Sequence, residues 1–179
     1  GCPQDGKGPL EFTHRSQIKS DPPGIFDREP VNQPLQTGVL AIDSMIPIGR
    51  GQRELILGDA GTGKTTLAID AIIAQKNNEP DNKVHCIYVS IGKKQSEVAH
   101  LISVLENHDA MEYTTVLAAT IGQSAIQRYL VPFAGCAIAE YYRDKGLHAL
   151  IIYDDLTQYS DASRELALRT NIHVGVERY

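Results

Sequence analysis

Eight consecutive residues, Gly58-Asp59-Ala60-Gly61-Thr62-Gly63-Lys64-Thr65, carry the most specific chemistry in the chain. They satisfy the pattern G-x-x-x-x-G-K-[S/T], in which glycines let the backbone curl so that successive N–H groups face inward. The apolar-rich stretch Arg53 to Leu57 precedes them and predicts a strand. After them, Leu67, Ala68, Ala71 and Ile72 recur at helical spacing and predict a helix from Gly63 to Gln75. A helix start adds the positive end of its dipole to the inward N–H groups, so an oligophosphate fits this loop. Lys64 is expected to reach the outer phosphates as a point charge. The Thr65 hydroxyl is expected to coordinate a Mg²⁺ that bridges them, and Thr66 completes the expected contact set.

A metal on phosphates needs a carboxylate from elsewhere, and an apolar strand ending in acid is the usual source. Ala149-Leu150-Ile151-Ile152-Tyr153-Asp154-Asp155 has that form, with Asp154 at the strand's carboxyl end as the expected Mg²⁺ partner, acting through water. The same two acids also suit the cap of a helix from about Thr157, a role that fits Asp155 better than Asp154. Hydrolysis would need a base beside the last phosphate, and the loop Gly92-Lys93-Lys94-Gln95 after the strand His85 to Ser90 has no carboxylate. Lys93 is charged at neutral pH and reads either as a phosphate binder or as a solvated lysine paired with Glu97. The six histidines show no ligand spacing.

The elements that must position these residues alternate between strand and helix, which predicts a mainly parallel sheet covered on both faces. Strands are expected at Arg53 to Leu57, His85 to Ser90, Tyr113 to Ala119 and Ala149 to Tyr153, the last as the centre of the sheet. Helices are expected from Thr37, as N-cap, to Met45, from Gln95 to Glu106, and from Ser124 to Asp144 with a kink at Pro132. Six prolines in the first 36 residues make 1–36 an irregular arm, leaving 37–179 as the folded domain, which the resemblance described below implies is nucleotide-binding. Cys86 and Cys136 stand in apolar company and read as buried small hydrophobes.

At 179 residues the chain fits one domain, and a net charge of −5 gives no footprint for nucleic acid or an anionic membrane. No apolar run approaches ~18 residues and the first residues do not read as a signal peptide, so direct membrane insertion is not expected. Three widely spaced cysteines, Cys2, Cys86 and Cys136, argue against a disulfide framework and for a reducing compartment.

Several stretches together resemble the alpha subunit of F-type ATP synthase. They are Asp5 to Pro9, Gln36-Thr37-Gly38, Ile48 to Leu55, the phosphate loop with Ala68-Ile69-Asp70, Cys86 to Val89, and His148 to Leu156. The likeness covers about 1–168 and implies a RecA-like P-loop fold that binds ATP or ADP with Mg²⁺. It also implies beta-type subunits as neighbours in a hexameric ring around a central shaft, and a cytoplasmic, peripheral position on the inner face of an energy-transducing membrane. In that family the alpha nucleotide is bound but scarcely hydrolysed, which agrees with the missing carboxylate. This sequence departs from the alpha pattern at Ala60-Gly61, commonly Arg-Gln, at Lys93, usually Gln, and at Gln95, usually Arg. The family's amino-terminal barrel, carboxyl-terminal bundle, arginine finger and adenine pocket have no counterpart here, which reads as a truncated or engineered core. After Leu168 the likeness stops; Ile172, Val174 and Val176 alternate as in a strand, and Arg178 has the wrong spacing for the finger. Loss of the ring's crown is expected to leave apolar surface that favours self-association. Other readings are a self-sufficient ATPase of the same fold, a nucleic-acid translocase resembling the terminator Rho, which shares a form of Ile48 to Arg53, and a scaffold with no retained activity.

Overall fold

The computed structural model describes residues 3–9, 15–18, 22–79 and 82–170. Its centre is a parallel three-stranded sheet of β3 (Val84–Ile91), β4 (Thr114–Ala119) and β5 (His148–Asp154), ordered β4-β3-β5. β3 lies opposite β4 from Cys86–Thr114 to Ile91–Ala119 and opposite β5 from Val84–His148 to Ser90–Asp154. All three strands therefore end at one edge. Alternation along β3 divides the core in two, as side chains of a strand must point to opposite faces. Val84, Cys86 and Tyr88 pack with Ala68 and Ile72 of α2 (Lys64–Ala74) and with Leu101 and Leu105 of α3 (Gln95–Asn107). Ile87, Val89 and Ile91 face the other way, against Val131, Ile138 and Tyr142 of α4 (Ala125–Asp144) and Tyr159 of α5 (Leu156–Arg169). The molecule is thus an α/β fold with helices on both faces of a parallel sheet, as the alternation of elements predicts.

Four expectations of the fold change, three of them in the sheet and its cover. The centre of the sheet is β3, and β5 pairs on one side only among the described residues. An apolar run records that both faces of a strand are covered, which says nothing about its neighbours along the sheet. The segment Arg53 to Leu57 forms no strand, and Leu55, Ile56 and Leu57 are exposed. Local propensity does not make a strand without a ladder partner, and no such partner for this segment occurs among the described residues. Cys136 is exposed on α4, while Cys86 is buried and its thiol is pushed up to about 12 by burial, which leaves it inert.

The amino-terminal segment ends in structure. A short strand β1 (Pro34–Leu35) pairs antiparallel with β2 (Ile48–Gly49), and Leu35 joins the core. Helix α1 (Leu40–Met45) starts later than its sequence suggests, so Thr37 is not its N-cap; Val39 holds that position. Thr37 instead turns back on the helix. Its N–H and hydroxyl donate to the Asp43 carboxylate at 2.8 and 2.7 Å, the Gly38 N–H adds a third bond at 3.0 Å, and Val39 N–H donates to Thr37 Oγ1. The remaining helices and strands lie within one or two residues of their expected bounds. Ser124 accepts from Gln127 N–H as the N-cap of α4. The stretch 171–179, with Ile172, Val174, Val176 and Arg178, and also Cys2, lie outside the described residues.

Candidate functional site

The loop Gly58 to Gly63 runs straight into α2. Gly61 and Gly63 adopt positive φ of 77° and 92°, a region that an L side chain resists, so the glycines permit the turn that brings the helix start under the loop. The first turn of α2 offers N–H groups that have no partner within the helix. The Lys64 ammonium folds back on the loop, donating to Gly58 O at 2.6 Å and Asp59 O at 2.5 Å, and Thr62 Oγ1 closes the same turn on Asp59 O at 2.8 Å. Asp59 and Ala60 are exposed at its crest, and Thr66 is exposed on α2.

Asp154, at the end of β5, comes to the foot of this loop. Its Oδ2 accepts from the Thr65 hydroxyl at 2.8 Å, across 89 residues of sequence, and from the Tyr88 hydroxyl at 2.6 Å. Its Oδ1 pairs with the Lys93 ammonium at 2.9 Å. Burial pushes the Asp154 carboxyl up, yet the hydrogen bonds from Tyr88, Lys93 and Thr65 and the Lys93 charge outweigh it and hold the group below its ordinary value. Burial likewise works against the Lys93 charge, and the bond and charge of Asp154, with Asp155 behind them, outweigh it and hold the ammonium above its ordinary value. Burial first, then Asp154, push the Tyr88 phenol up, so it remains a donor.

The geometry bears on the two capping and pairing alternatives. Asp155 is the N-cap of α5, with its Oδ1 accepting from Gln158 N–H at 2.9 Å, while Asp154 points to the loop. Lys93 does not stand as a solvated partner of Glu97: it turns to Asp154 and, at 3.5 Å, Asp155, while the Glu97 carboxylate accepts from the Lys94 N–H at the start of α3. Gly92 makes that turn possible with φ of 69°, and its N–H donates to Ala119 O at 2.7 Å. Tyr88 is a participant that sequence reasoning did not single out. The available signal was a tyrosine inside a fully buried strand, whose hydroxyl must find a partner.

Among the described residues no three His, Cys, Asp or Glu side chains converge on a cation site, and no helix is long and apolar enough to cross a membrane. A model of the ATP synthase alpha/beta family, nucleotide-binding domain, matches residues 38–179, past the point at Leu168 where the likeness in single motifs stops. The chain is 55% identical over all of its 179 residues to "ATP synthase subunit alpha" of Aquifex aeolicus (strain VF5). It is 54% identical, again over its full length, to the protein of that name from Caldanaerobacter subterraneus subsp. tengcongensis. It spans 35% of the length of each of these relatives. Neither the Rho-like translocase nor the self-sufficient ATPase is favoured by these matches. With the phosphate loop, the strand-end acid and the three-layer α/β fold in agreement with them, the chain belongs to the ATP synthase alpha/beta family and represents its nucleotide-binding domain.

Proposed function

We propose that this chain is the core of an alpha-type ATP synthase subunit that takes ATP or ADP by its phosphates at Gly58 to Thr65 and turns it over slowly or not at all. What carries the reading is the convergence of Lys64 and Thr65, at the head of α2, with Asp154, at the end of β5, on one sheet edge. In this role the first-turn N–H groups and Lys64 bind the phosphates, the ammonium moving from the loop carbonyls it now satisfies. Thr65 and Asp154 supply a hydroxyl and a carboxylate 2.8 Å apart, hard oxygen donors that would hold Mg²⁺ where Lys93 yields Asp154 Oδ1. A Mg²⁺ held by these two residues would supply positive charge against the phosphates. Lys93 stands where a base would be needed, and an ammonium held above its ordinary range cannot accept a proton.

Lys64→Ala is expected to weaken ATP binding at least about tenfold, the scale of one lost charge-assisted contact. Calorimetric titration measures it, and unchanged affinity would remove Lys64 from the phosphate site. Phosphate release by the parent chain in the same samples should stay at background. A rate on the order of 1 per second that disappears in Asp154→Asn would instead establish catalysis.

The neighbours proposed on the family likeness are beta-type subunits in a ring around a shaft, at the inner face of an energy-transducing membrane. Exposed Leu55, Ile56 and Leu57 beside the loop support association of the isolated chain, because contiguous apolar surface favours contact. Sedimentation over a concentration series, with and without Mg-ATP, should show a weak dimer or mixed oligomer. A monomer throughout would show that the chain carries no competent interface of its own.

A further inference from the structure

Lys93 is placed with more care than a loop lysine needs. The left-handed turn at Gly92 directs it back over the sheet edge, where a Cβ on Gly92 would lie 2.5 Å from the Gln158 side chain, so the turn is boxed in as well as bent. Its side chain is only 25% exposed, and the ammonium sits 2.9 Å from Asp154 Oδ1 and 3.5 Å from Asp155 Oδ2. Thr65 and Tyr88 occupy the other oxygen of Asp154. The carboxylate best placed to attract a divalent cation is therefore already neutralised by a cation of the protein. With Lys93 present, the two lysines and the two strand-end acids at this edge, Lys64, Lys93, Asp154 and Asp155, balance in charge; without it they carry a net negative charge that a triphosphate would meet as repulsion. The long, unbranched lysine stem also lets the same ammonium serve either Asp154 or a phosphate oxygen.

We propose that Lys93 acts as a built-in counter-cation that makes nucleotide binding by this chain largely independent of divalent metal. The proposal rests on the reading of Gly58 to Thr65 as a nucleotide phosphate site. Lys93 contributes through charge at the phosphate edge and competes with Mg²⁺ for Asp154. It is a specificity-determining residue for the ion that accompanies the nucleotide and takes no part in bond breaking.

The test titrates ATP into the full chain and into Lys93→Gln and Lys93→Arg, each with EDTA and again with excess MgCl₂. In the parent, affinities in the two media are expected to agree to within about threefold, whereas Lys93→Gln should lose at least about tenfold on removal of Mg²⁺, the scale of one charge-assisted contact. Lys93→Arg keeps the charge and should behave as the parent. A second readout is Mn²⁺ in the presence of ATP, followed by its electron paramagnetic resonance signal: Lys93→Gln with ATP should hold Mn²⁺ more tightly than the parent with ATP does. If ATP binds all three proteins with the same dependence on Mg²⁺, Lys93 is not the counter-cation and the phosphate site stands. If ATP and ADP bind none of them in either medium, the nucleotide reading falls and takes this proposal with it.

Discussion

Asp154→Ala is expected to destabilise the folded chain by about 2–3 kcal/mol in the absence of nucleotide, although the residue lies at the end of a strand and fills little volume. The substitution removes the acceptor for the Thr65 and Tyr88 hydroxyls and the nearest counter-charge of Lys93 in one step. Breaking a fully buried ion pair costs about 3–5 kcal/mol. Lys93 retains some access to water and has Asp155 at 3.5 Å, which sets the lower figure. Tyr88 is buried and has no comparable relief. Urea denaturation of parent and variant at neutral pH measures the difference as a fall in midpoint at constant slope. Acid should shrink it. The Asp154 carboxyl is held below its ordinary 3.8 in the fold, so its contribution is complete above that value and fades as pH drops through the lower folded one. Equal midpoints at neutral pH would mean that the carboxylate contributes nothing net to the fold.

Gly135→Val is expected to cost about 3 kcal/mol through overpacking of the core. A glycine inside a helix ordinarily weakens it by about 1 kcal/mol relative to alanine, so a neutral environment would make this position one to improve. The environment is not neutral: a Cβ here would lie 2.4 Å from Val89 Cγ2 and 3.5 Å from Ile151 Cδ1. Val89 is fully buried on the central strand, and a β-branched side chain has no spare rotamer to yield. The missing side chain is what lets α4 lie down on β3 and β5. Val89→Ala introduced into Gly135→Val should restore part of the loss, with a coupling of at least about 1 kcal/mol in a double-mutant cycle. Gly135→Val at or above parental stability would show that the helix sits further from the sheet.

The sequence disclosed the elements whose pattern is local and long. α3 declares itself by its amphipathic spacing over 13 residues and α4 by its length of 20, and β3 and β5 do so by apolar runs that only a covered sheet tolerates. The glycine-rich turn at Gly58 to Gly63 and the helix that follows it are legible for the same reason, since their pattern is contiguous. What stayed hidden is relational. The order of the strands, and the lack of a ladder for Arg53 to Leu57, depend on neighbours far along the chain. Lys93 offers a nearby acid at Glu97, and spacing alone favours it; the two carboxylates that hold it lie about 60 residues away and become competitors only when β3 and β5 end side by side. The Thr37–Asp43 contact is similarly invisible, because a hydroxyl that bonds a carboxylate six residues on imitates no standard cap.

The contacts of Asp154 also guard the alignment of the sheet. β3 and β5 are apolar on both faces, and two such strands have little to resist sliding past one another, since every slipped pairing still buries hydrocarbon. A shift of β5 by one residue would turn Asp154 to the α4 side, into hydrocarbon, and a shift by two would move it ~6.6 Å along the strand, out of reach of Thr65, Tyr88 and Lys93. Either slip strands a charge. The carboxylate thus acts as an alignment key between strands that are otherwise interchangeable in chemistry, and the most polar point of the sheet excludes its misassembled forms.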